Sequence, residues 1–101
     1  MKFSGKTALV TGGGRGIGAD IARTLAREGA VVAVSARTES EILKVADEIV
    51  AAGGRAHAFV ADLSQPDQAR ELIGRAQAAM GGLDFLINNA GVASSSPLSK
   101  L

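Results

Sequence analysis

The chain alternates between short unbroken apolar runs and longer stretches in which apolar residues recur at helical spacing. Residues 6–11 (Lys6-Thr7-Ala8-Leu9-Val10-Thr11), bounded by Gly5 and Gly12, predict a strand buried on both faces. From Ile17 the positions Ile17, Ile21, Ala22, Leu25 and Ala26 share one helical face, with Arg23, Arg27 and Glu28 away from it, and Gly29 stops the helix. Residues 30–36 predict a second buried strand, parallel to the first. Thr38 lies three residues before Glu41, the spacing of a capping box, and opens a helix with the stripe Ile42, Val45, Ala46, Ile49 and Val50 that Gly53-Gly54 ends. Residues 55–61 are more mixed and predict a third strand nearer an edge. Ser64-Gln65-Pro66-Asp67 repeats the capping signature ahead of a third helix that buries Ala69, Leu72, Ile73, Ala76 and Met80 and stops at Gly81-Gly82, with Gly74 as a weak point inside it. Residues 83–88 predict a fourth strand, and the Ser-rich stretch from Val92 with Pro97 reads as loop. With right-handed crossovers this βαβαβαβ pattern is an α/β domain, a parallel sheet ordered 3-2-1-4 with helices on both faces.

The turn Thr11-Gly12-Gly13-Gly14-Arg15-Gly16-Ile17-Gly18 falls between the first strand and the first helix. Such a turn points unpaired backbone N–H groups and the positive end of a helix dipole at one spot, which suits a phosphate. A glycine-rich turn also occurs as plain loop chemistry, and that reading stands beside the first. In the 3-2-1-4 order a ligand sits between strands one and four, and the glycine turn lies at that crevice.

Composition narrows the field. The 101 residues are 47% hydrophobic and 21% charged, which predicts one globular domain over residues 1–101. A net charge of +1 argues against a broad nucleic-acid or membrane surface. The absence of cysteine excludes disulfides, thiolate metal sites and cysteine nucleophiles. Lacking a membrane-length apolar run or a signal peptide, the chain is expected in the cytoplasm, although its last residues Ser99-Lys100-Leu101 match a peroxisomal address. His57, the single histidine, has no carboxylate or nucleophile partner in sequence and is not read as catalytic.

Thr11-Gly12-xxx-Gly16-Ile17-Gly18 after the first strand, Asp62 after the third and Asn88-Asn89-Ala90-Gly91 after the fourth together resemble the short-chain dehydrogenase/reductase family, along the whole chain. The alternative register through Gly14, Gly16 and Ala19 is read as accidental. The resemblance implies a Rossmann-type fold that is truncated here, and an oxidoreductase moving hydride between a nicotinamide cofactor and a carbonyl or alcohol. It implies that Gly12, Gly14, Gly16 and Gly18 belong to the pyrophosphate turn, lined by Arg15 and Ile17. Asp62 would contact the adenine with Leu63 packing nearby, and Asn89, Ala90 and Gly91 would floor the ribose and the sheet's centre. Asp62 as a turn cap, and Asn88 and Asn89 as clasps between strand ends, remain open alternatives. The general appearance is loosely like 3-oxoacyl-carrier-protein reductases, and the substrate is not specified.

Charge bears on which dinucleotide binds. An acid at the end of strand two would suit the 2′-hydroxyl of NAD(H), but Ser35-Ala36-Arg37 stands there. Arg37 and Arg15 offer two cations to a 2′-phosphate, so NADP(H) is expected over NAD(H). Glu39 is the nearby acid that argues the other way, and the first turn of helix two is the place expected to hold it in solvent.

The family's serine, tyrosine and lysine, and the asparagine on the helix after strand four, have no counterparts here. The chain has no tyrosine, Ser94, Ser95 and Ser96 come too early, and Lys100 has no tyrosine to assist. Alone, these residues are expected to be inactive, either as the amino-terminal part of a longer NADP(H)-dependent enzyme or as a non-catalytic nucleotide-binding or self-assembling module. Strand four would then be a sheet edge carrying Phe85, Leu86 and Ile87, which predicts self-association through it.

Overall fold

A computed structural model describes residues 2–89 of the chain. The elements follow in the order β1 (Thr7–Thr11), α1 (Gly16–Arg27), β2 (Val31–Ala36), α2 (Glu39–Ala51), β3 (Arg55–Val60), α3 (Pro66–Met80) and β4 (Phe85–Asn88). The four strands form one sheet in the order β3-β2-β1-β4, all pairs parallel, as the alternation of runs and stripes predicts.

Both central strands are buried because each face of the sheet carries helices. On one face Val10, Val32 and Val34 pack with Ala19, Ala22 and Ala26 of α1 and with Ile42, Val45 and Ile49 of α2. On the other, Leu9, Ala33 and Ala61 pack with Leu72 and Ala76 of α3. Two outer strands result, and β3 is one of them, in agreement with its mixed sequence. Within it His57 stacks on Phe59 with ring centroids 6.3 Å apart, and the Arg75 guanidinium lies 5.0 Å from the centre of the Phe59 ring. That stack gives His57 a packing role.

Three local expectations are corrected. Ile17 does not join the buried stripe of α1 but is 66% exposed, because the small residues Gly18, Ala19, Ala22 and Ala26 turn inward and let the helix lie close to the sheet. Val50 is exposed as well, one position and about 100° around the helix from the buried Ile49. Neither capping box forms. Thr38 is the N-cap of α2 through its backbone carbonyl, which accepts from Glu41 N at 3.2 Å, while its side chain makes no cap bond. The N-cap of α3 is Gln65, also without a side-chain bond, since Ser64 is drawn to Asp62 instead.

The pairing of β1 with β4 is clasped at both ends by threonines. Thr7 N donates to the Asp84 carboxylate at 2.9 Å and Asp84 N donates to the Thr7 hydroxyl at 3.0 Å. At the other end the Thr11 hydroxyl lies 3.0 Å from Asn88 Oδ1 as donor and accepts from Asn89 N at 3.1 Å. These bonds hold the carboxyl ends of β1 and β4 level, where the strand order reverses.

Candidate functional site

At the carboxyl edge of the sheet a cleft of about 890 Å³ opens between the glycine turn, the end of β2 and the segment after β3. Of the residues singled out from sequence, Gly12, Gly14, Arg15, Gly16, Ile17, Arg37, Asp62, Leu63 and Asn89 line it. Gly18 is buried just behind the wall, and Ala90 and Gly91 lie outside the described residues. His57 is not among the lining residues.

The turn is built by backbone requirements. Gly12 and Gly16 have φ of +67° and +60°, the left-handed region that disfavours side chains. Gly18 is needed for close approach, since a Cβ there would overlap the Gly12 carbonyl oxygen and come within 2.7 Å of Asn89 Nδ2. That same carbonyl accepts from Asn89 Nδ2 at 3.1 Å, so the end of β4 fixes the shape of the turn. Gly13 N donates to the Ser35 carbonyl at 3.0 Å and ties the turn to β2.

The first backbone bond of α1 runs from Ala19 N to the Arg15 carbonyl, at 3.3 Å. The N–H groups of Gly16, Ile17 and Gly18 precede it and have no acceptor within the helix. Arg15, the N-cap, makes no side-chain cap bond, and no acidic residue stands in the first turn. In contrast, α2 carries Glu39 and Glu41 there, and α3 carries Asp67. The positive end of α1 is therefore not offset by an acidic residue of its own first turn.

Asp62 is the most constrained acid of the cleft. Its Oδ1 accepts from Ser64 N at 3.0 Å and Ser64 Oγ at 2.6 Å, while its own N–H donates to Gln68 Oε1 at 2.8 Å. The two Ser64 bonds, and more distantly the Arg37 charge, hold the Asp62 carboxyl below the usual aspartate range. The turn role left open by the sequence is real, and Oδ2 has no hydrogen-bond partner among the described residues. Asn89 likewise acts as a clasp and lines the cleft at once.

Eight lining residues stand outside the sequence-based set, and three of them bear on the chemistry of the cleft. Thr38 and Glu41 enter from the start of α2, and Ser35 from the end of β2. Ser35 Oγ is buried without a partner among the described residues. Glu41 has the spacing of a capping box, but its Oε2 lies 3.9 Å from Arg15 Nη1 at the cleft that both residues line. Only the three-dimensional return of α2 beside the turn brings that pair together. Glu39, by contrast, is exposed and does not line the cleft.

Among the described residues there is no cluster of metal-ligating side chains, and no helix is long and apolar enough to cross a membrane. A parallel sheet in this order, with a glycine turn at the point where the order reverses, defines a Rossmann-like fold. The chain belongs to the short chain dehydrogenase family, whose sequence profile matches residues 6–101. It is 48% identical over 91 residues to an uncharacterized oxidoreductase of Mycobacterium tuberculosis, an alignment covering 90% of this chain and 35% of that protein. The solved short chain dehydrogenase of Burkholderia cenocepacia, in complex with NADP, is 44% identical with a TM-score of 0.87, covering 100% of this chain and 42% of that one. A metagenomic short-chain oxidoreductase, also in complex with NADP, is 40% identical with a TM-score of 0.85, covering 98% of this chain and 48% of that one. The chain thus spans about a third of the length of the curated oxidoreductases it matches.

Proposed function

We propose that this chain is the NADP(H)-binding part of an oxidoreductase that moves hydride between the cofactor and a carbonyl or alcohol substrate, with the residues that perform the transfer lying outside these 101. The observation that carries this reading is the convergence of the uncapped start of α1, Asp62, Asn89 and two arginines on one cleft. The two NADP-bound relatives support it. The cleft suits such a group: Gly18 leaves no Cβ to fill the turn, and the N–H groups of Gly16, Ile17 and Gly18, which have no acceptor within the helix, are assigned to the pyrophosphate. Leu63 and Asp62 Oδ2 are assigned to the adenine, Asn89 with Ala90 and Gly91 to the ribose floor, and Arg15 and Arg37 to the 2′-phosphate. When bound, the nicotinamide group supplies or accepts the hydride. This chain's residues bind and orient the adenine end and neutralise its phosphates.

Titration calorimetry with NADP⁺ and NAD⁺ tests the reading. NADP⁺ is expected to bind more tightly, and Arg37→Ala to weaken NADP⁺ by about tenfold while leaving NAD⁺ nearly unchanged, the scale of one charge-assisted phosphate contact. Equal affinities in both proteins would remove the 2′-phosphate assignment. A second reading, a non-catalytic binding or self-assembling module of the cytoplasm, draws on the absence of tyrosine from the chain. Under either reading the 101 residues are expected to reduce no carbonyl with NADPH, and a normal enzymatic rate would overturn that.

A further inference from the structure

The charges around the cleft do not simply favour an anion. Arg15 and Arg37 line it, and so do Glu41 and Asp62. The two acids differ in how they are held. Asp62 is committed to Ser64 by two bonds to one oxygen, so its charge stays with its own turn. Glu41 lies against the glycine turn, since a Cβ on Gly14 would come within 3.0 Å of Glu41 Cβ and 3.2 Å of its Oε1. From there it reaches Arg15, whose side chain is 85% exposed against 34% for Glu41. At 3.9 Å the pair is held by charge rather than by a fitted hydrogen bond, and so orients Arg15 little.

We propose that Glu41 is an internal competitor for the 2′-phosphate, pairing with Arg15 and so setting how strongly this site discriminates NADP(H) from NAD(H). The inference rests on the cofactor reading above and adds a specificity-determining residue to it. A 2′-phosphate carries nearly two negative charges at neutral pH. To bind Arg15 it must displace the Glu41 carboxylate and then lie near it. A 2′-hydroxyl carries no charge and meets neither obstacle. Glu41 therefore acts against NADP(H) selectively, restraining the preference that the two arginines create.

The probes are adenosine 2′,5′-bisphosphate and 5′-AMP, which differ by the 2′-phosphate and need only the adenine half of the site. Calorimetric titration of the full chain is expected to show Glu41→Gln binding the bisphosphate on the order of three- to tenfold more tightly, as removal of one nearby charge at partial exposure dictates, with 5′-AMP changed less than twofold. The gain is expected to fall by half or more when Arg15→Ala is already present, and to shrink in about 0.5 M salt, where exposed charges are screened. Three results would overturn the inference while leaving the cofactor reading intact: an unchanged preference in Glu41→Gln, weaker bisphosphate binding in that variant, or an equal gain with and without Arg15. If the unaltered chain binds neither probe nor either dinucleotide, the cofactor reading fails, and the inference with it.

Discussion

Thr11 shows how one side chain serves fold and site together. Its hydroxyl joins Asn88 Oδ1 and Asn89 N, and Asn89 in turn holds the Gly12 carbonyl, so the clasp between β1 and β4 also shapes the turn. Thr11→Val keeps the packing and removes the hydroxyl. It is expected to cost about 1–3 kcal/mol in urea unfolding, the scale of part-buried polar groups losing a partner, and to weaken dinucleotide binding in parallel. Asp62 carries a pH signature. Its carboxyl is held low by Ser64, so the charged form is favoured in the folded chain. The stability it contributes is present above the unfolded aspartate value of about 4 and is lost as pH falls through the lower folded value. Asp62→Asn is thus expected to flatten the acid limb of the unfolding curve followed by circular dichroism, and an unchanged limb would show that the Ser64 bonds do not discriminate between the charge states. The turn glycines were legible in the sequence through backbone geometry and the arginines through their charge, whereas Asp62 and Asn89 were marked only by the family resemblance; what the structure adds is that Arg15, Arg37, Asp62 and Asn89 line one cleft. Glu41 was not legible, because its local spacing suggested a cap while its actual partner lies 26 positions back, on a different element.

The helices were legible because each is marked twice, by an apolar period and by the glycine that follows it, Gly29, Gly53 or Gly81. Misreadings arose where two faces compete for the same residues. In α1, large Ile17 completes an apolar stripe on paper, yet the core takes Gly18, Ala19, Ala22 and Ala26, since the helix must come within contact of the turn. That requirement is tertiary, and apolar periodicity alone does not distinguish the small-residue face from the one that carries Ile17. In α3 the balance is different: Leu72 and Ala76 are its only fully buried residues, so one large side chain carries much of its attachment to the sheet. Leu72→Ala is expected to destabilise the chain by about 2–5 kcal/mol in denaturant unfolding. Gly74 lies in the same helix, with no atom within 4 Å of a Cβ added there and no positive φ that would require glycine. Gly74→Ala is accordingly expected to stabilise by about 0.5–1 kcal/mol, through helix propensity alone. A loss of stability instead would mean that the position touches something beyond the described residues.

At the scale of the whole molecule the two outer strands are not equivalent. β3 opens with the exposed Arg55, contains His57 and has the Arg75 guanidinium over its Phe59 ring, charged or polar groups of the kind that discourage strand addition. β4 has no charged residue between Phe85 and Asn88, and its Leu86 is 51% exposed. Among the described residues only one side of β4 is paired, to β1. A net charge of +1 supplies little repulsion between copies. A preparation of these 101 residues is therefore expected to self-associate through β4, giving a sedimentation coefficient that rises with concentration. Leu86→Lys places a charge on that strand without touching the cleft or the core, and is expected to shift the chain toward monomer while leaving NADP⁺ affinity unaltered. If the unaltered chain sediments as a monomer at high concentration, β4 is not an adhesive edge. If Leu86→Lys associates as strongly as the unaltered chain, the contact lies elsewhere on the surface.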